Sequence, residues 1–100
     1  MDADTLDLAF DGELIYWRGP SPHYFVVVPP DASSLIRAIS TAVTYGWGAI
    51  PVRVRLGGHE WPTSLFPKDG RYLVPVRKAV RLAEELDEGD IVAVELVIPA

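Results

Sequence analysis

Residues 46–90 read GWGAIPVRVRLGGHEWPTSLFPKDGRYLVPVRKAVRLAEELDEGD. Within them Ile50, Val52, Val54 and Leu56 alternate with Pro51, Arg53 and Arg55, the period-two pattern of a half-buried strand with a basic outer face. Gly57-Gly58 turns the chain into a second strand at 59–66, and Pro67 to Gly70 turns it again into a short strand at 71–74. Pro75 opens a helix, because proline's missing N–H costs nothing in a first turn. Val76, Ala79, Val80, Ala83 and Leu86 then share one face, so the spacing predicts a helix over 76–86, ended by Glu88-Gly89-Asp90.

Outward from this stretch the same signals repeat. Leu6, Leu8 and Phe10 alternate with polar residues, Gly12 interrupts, and Leu14 to Trp17 resume the run, which predicts a long strand with a bulge at the glycine. RGPSP at 18–22 is a turn, and HYFVVV at 23–28 is apolar on both faces, as in a buried strand. Pro29-Pro30-Asp31 supplies a break and an N-cap, and Leu35, Ile36, Ile39, Ala42 and Val43 recur at helical spacing, giving a helix over 32–45 stopped by Gly46. Val92, Val94, Leu96 and Ile98 form a closing strand. The nine prolines act as punctuation. In the order β-β-α-β-β-β-α-β, helices of this size cannot supply the parallel crossovers of a doubly wound fold. It implies an α+β, mostly β fold: a curved or closed antiparallel barrel of about six strands built on Val26, Val28, Val52, Val54, Val94 and Leu96, with two helices covering its openings.

One hundred residues make a single domain, 1–100, large enough to fold without a metal or disulfide. With no cysteine, thiolate chemistry and Cys-based zinc sites are excluded, and a reducing cytoplasm is the expected location. The acidic start MDADTLDLAF and the lack of an apolar run of ~20 residues give no sign of secretion or membrane insertion. The net charge of −5 is striped. Residues 53–81 carry Arg53, Arg55, Lys68, Arg71, Arg77, Lys78 and Arg81 against Glu60 and Asp69, for +5, between flanks of −4 and −6. The basic stretch either pairs with the acidic flanks or forms an anion-binding face.

A set of local motifs resembles one family. Gly46-Trp47-Gly48, Ile50-Pro51-Val52, Trp61, Thr63-Ser64-Leu65, Pro67, Gly70-Arg71-Tyr72, Pro75-Val76, Val80-Arg81 and Gly89-Asp90-Val92 together are similar to the bacterial domain of unknown function nineteen-oh-five, from about Leu8 to Leu96. The resemblance implies a small closed barrel of the split kind, distantly like antitoxin and transition-state regulator domains. It also implies a following tail related to the YdeI and OmpD-associated proteins, which this chain, ending at Ala100, is expected to lack. No catalytic or cofactor residues come with the family.

Local chemistry is sparse. His59-Glu60 falls short of a His-Glu-x-x-His zinc helix because Thr63 stands at the last position in a strand-like segment. His23 has no ligand spacing, and no metal or cofactor is expected. Ser64 and Lys68 have the wrong spacing for a nucleophile pair, with Pro67 between them. The acids at 2–11 and 84–90 read as solvated surface. Trp17, Trp47, Trp61 and Tyr72 offer either a stacking platform beside arginines or, for most of the tryptophans, core packing.

In the second helix Arg77 and Lys78 sit at the positive end and Glu84 and Glu85 at the negative end, the reverse of what the macrodipole favours. Either Glu60 or Asp69 compensates, or Lys68, Arg71, Arg77 and Lys78 converge on an anion, with Arg53, Arg55, Trp61 and Tyr72 as further surface contacts. The preferred reading is a non-enzymatic module, monomer or homodimer, that binds a small anion or an acidic protein partner through the 53–81 surface. The alternative is a dimeric regulator contacting nucleic acid, by analogy with antitoxin-like barrels; a pI near 4.8 disfavours it.

Overall fold

A computed structural model describes residues 5–43 and 49–99. The elements follow the expected order: β1 (Thr5–Trp17), β2 (His23–Val27), α1 (Pro30–Val43), β3 (Ile50–Leu56), β4 (His59–Lys68), β5 (Arg71–Val76), α2 (Lys78–Ala83) and β6 (Ile91–Pro99). The strands close an antiparallel barrel in the order β1-β2-β5-β4-β3-β6. Trp47 and the expected helix stop at Gly46 lie outside the described residues.

Two strands do the closing, because each changes partner along its length. Residues Thr5 to Glu13 of β1 pair with β6, and Leu14 to Trp17 pair with β2. Likewise His59 to Leu65 of β4 pair with β3, and Phe66 to Lys68 pair with β5. The barrel is therefore two sheets sharing β1 and β4, the split arrangement. The expected bulge at Gly12 is absent: Gly12 pairs with Val92 in an unbroken register from Thr5 to Glu13. Its role is space. A Cβ there would stand 2.4 Å from the Val27 carbonyl oxygen and 2.7 Å from Val26 Cγ1, so the strand can turn into the second sheet only without a side chain.

The hairpin turns follow their sequences. Asp69 and Gly70 both have positive φ, 51° and 79°, between the paired Lys68 and Arg71, which is the left-handed two-residue loop that matches strand twist. Gly57, at φ 57°, opens the other two-residue loop between Leu56 and His59. The expected core is buried throughout: Val26, Val28, Val52, Val54, Val94 and Leu96 each lie at 4% exposure or less. Burying each such side chain contributes about 1.5–3 kcal/mol.

The helices close opposite ends. α1 starts on Pro30 and packs on β5 and β3, with Ile36 fully buried. α2 lies at the other end, with Val80 in the core cluster. It spans Lys78–Ala83 and not 76–86, for two reasons. Pro75 and Val76 pair with Phe25 and Tyr24 of β2, so the strand continues through the proline expected to open the helix. At the far end Glu85 has φ 53°, its N–H donates to the Leu82 carbonyl, and the Leu86 N–H donates to the Arg81 carbonyl at 2.9 Å. That pair of bonds is a Schellman stop, here with a non-glycine residue in the left-handed position.

Prolines expected as punctuation also lie inside strands: Pro51, Pro62, Pro67, Pro75 and Pro99. Each is paired on one side only among the described residues, opposite Ser64, Arg53, Tyr72, Phe25 and Thr5 respectively. A residue without an N–H fits a strand where one side carries no ladder.

Candidate anion-binding groove at the barrel mouth

The interior side chains stack in rows across neighbouring strands. Leu14, Val26 and Val74 are in register on β1, β2 and β5 and are fully buried. One step toward the α2 end comes the row Tyr16, Tyr24 and Val76, again in register. The two tyrosine rings lie 4.6 Å apart, centroid to centroid, at 42°. This is the last inward-facing layer of that sheet, and the mouth of a barrel is a usual place for a ligand.

Each tyrosine carries a guanidinium. Arg18 lies 5.0 Å from the Tyr16 centroid, and Arg81, from α2, lies 4.3 Å from that of Tyr24. The two are not equivalent. Arg18 donates two hydrogen bonds to Glu88, at 3.1 and 3.2 Å, and the bonds hold the Glu88 carboxyl below the usual carboxylate range. Arg81 forms no ion pair among the described residues, and its buried Nε has no hydrogen-bond partner among them. An unsatisfied donor held out of water is costly, on the order of 1–3 kcal/mol, and more when it is charged.

Lys78, three residues before Arg81, is on the same helical side and also forms no ion pair among the described residues. Together with His23 and Pro22 these side chains line a groove of about 320 Å³, with no acidic residue in its wall. Neither tyrosine hydroxyl makes a hydrogen bond among the described residues.

The four bases expected to converge are divided. Lys68 and Arg71 face each other across the hairpin at one end of β5, and Arg77 and Lys78 follow its other end. Six residues of extended chain place Arg71 and Arg77 roughly 20 Å apart. The idea of helix amides completing a shared site goes with it, since α2 is a six-residue turn. Lys68 instead lies 4.6 Å over the Trp17 ring and 3.7 Å from Asp69.

Arg53 and Arg55 are exposed but engaged: Glu60 lies 3.3 Å from Arg53 and 3.9 Å from Arg55, and Glu95 lies 3.7 Å from Arg55. The pairing reading thus holds for β3, while neither Glu60 nor Asp69 compensates Lys78. Trp61 and Tyr72, expected as surface contacts, are core residues at 3% and 6% exposure, because each points inward from its strand. Trp17 points outward, 39% exposed.

His59 Nδ1 lies 3.0 Å from Glu84, which also accepts the Gly58 N–H at 3.2 Å and so ties α2 to the β3–β4 turn. Ser64 stands opposite Pro51 in β4, four residues of extended strand from Lys68. Arg81 was not among the expected site residues. Its spacing from Lys78 was the available signal, but Tyr24, which holds it, comes from a distant part of the chain.

The architecture defines a small antiparallel split-barrel domain whose α2 mouth holds, among the described residues, two cations without a carboxylate partner. The chain belongs to the family described as Domain of unknown function (DUF1905), whose model matches residues 10–96. Among curated proteins none matches the chain.

Proposed function

We propose that this protein is a binding module that takes a small anion from solution at the α2 mouth of the barrel. The observation that carries the reading is the contrast between two tyrosine-stacked guanidiniums: Arg18 has a carboxylate from its own chain, and Arg81 has none among the described residues. An external anion would do for Arg81 what Glu88 does for Arg18, with Lys78 as the second cation. Of the bases expected in the sequence, Lys78 stays in the site, and Lys68, Arg71 and Arg77 leave it. A chain without cysteine suits the reducing cytoplasm, where we place this role.

Thermal-shift titration with inorganic phosphate and sulfate tests the reading. The melting temperature of the wild type should rise with anion concentration, since a ligand at about a hundred times its Kd adds about 2.7 kcal/mol. Lys78→Ala should blunt the rise, and Arg71→Ala, at the far end of β5, should leave it intact. Equal responses from wild type and Lys78→Ala would remove the site.

A further inference from the structure

We infer that the ligand of the mouth groove is a phosphate monoester carrying a flat ring, of the mononucleotide kind. This rests on the anion-binding reading and narrows it. Charge sets the head group. Lys78 and Arg81 are two cations without a carboxylate among the described residues, and the groove wall carries no acid to offset them. A phosphate monoester near neutral pH bears about −1.5 to −2 and three acceptor oxygens. A monocarboxylate would leave one cation uncompensated.

Volume sets the rest of the molecule. The groove of about 320 Å³ is larger than a bare phosphate fills. Besides the two cations, the lining is three rings, Tyr16, Tyr24 and His23, with Pro22 and Val76. The Arg81 guanidinium carbon lies 4.3 Å from the Tyr24 ring centroid, and a guanidinium group accepts a stacked base. The hydroxyls of Tyr16 and Tyr24, unbonded among the described residues, add donors and acceptors for a sugar or a ring edge. A net charge of −5 works against a long polyanion and leaves a single nucleotide as the form that fits.

Isothermal titration of the full chain with adenosine 5′-monophosphate, adenosine and inorganic phosphate tests this. The monophosphate should bind about tenfold or more tighter than phosphate, the ring adding what one stacked base adds. Lys78→Gln and Arg81→Gln, each checked for folding by circular dichroism, should weaken it, about tenfold for the arginine. Equal affinities for the monophosphate and phosphate would overturn the ring and leave the anion site standing. Failure of both ligands would overturn the two readings together. Tight monophosphate binding unchanged in both folded variants would place the ligand elsewhere and end the assignment. A single-stranded oligonucleotide bound far more tightly than the monophosphate would replace it with a polynucleotide.

Discussion

Ser33 is a polar residue buried to 1% exposure, and it has work in both directions. Its hydroxyl donates to the Val28 carbonyl at 3.1 Å and accepts from the Tyr72 N–H at 3.3 Å, beside the backbone bond from Val28 to Tyr72. It thus inserts a rung where the β2–β5 ladder opens to let α1 in. Ser33→Ala would strand a buried carbonyl and a buried N–H, and should cost about 1–3 kcal/mol. Urea unfolding should show a lower midpoint with an unchanged slope; an unchanged midpoint would mean that the two groups find other partners. The sequence offers adjacent serines at 33 and 34, and only the docking of α1 decides which one faces the barrel. Arg81 was hidden in the same way. Its charge was visible, but its contact with Tyr24 brings α2 and β2 together from opposite halves of the chain.

At the scale of elements, β5 divides the basic stretch and α2 is shorter than its periodicity. The strands, the presence of the first helix and the two hairpins were legible because alternation, helical spacing and loop glycines all pointed the same way, but that helix starts on Pro30, with Asp31 inside its first turn and not capping it. The second helix was misread at both ends. Its apolar period runs on to Leu86, yet Glu85 takes the left-handed conformation that the sequence would advertise only with a glycine. A non-glycine residue there costs about 1–2 kcal/mol, partly offset by the greater unfolded-state freedom that a glycine would bring, about 0.5–1 kcal/mol. Glu85→Gly should therefore stabilise the protein by about 0.5–1 kcal/mol and raise the melting temperature by several degrees. A fall on calorimetry would mean that the Glu85 side chain contributes more than its backbone costs.

For the whole molecule, the strand prolines map where the barrel is split. Each sits where its strand is laddered on one side among the described residues, so the missing N–H lies where it would have no partner, and the open side is less available to another chain. The same prolines read as loop signals in sequence because partner count is a property of the assembled barrel. Replacing Pro51 and Pro62 with threonine should leave the fold intact but increase self-association, measured by sedimentation at rising concentration. Monomeric behaviour equal to that of the wild type would free the prolines of this protective role. The pairing of β1 with β6 has a consequence for biosynthesis. Of the six barrel strands the first to leave the ribosome waits for the last, holding Leu6, Leu8 and Phe10 without their cross-strand neighbours until Val92 to Ile98 emerge. Translation speed and chaperone access over that interval, more than the final stability, should govern how much of this protein reaches its native form.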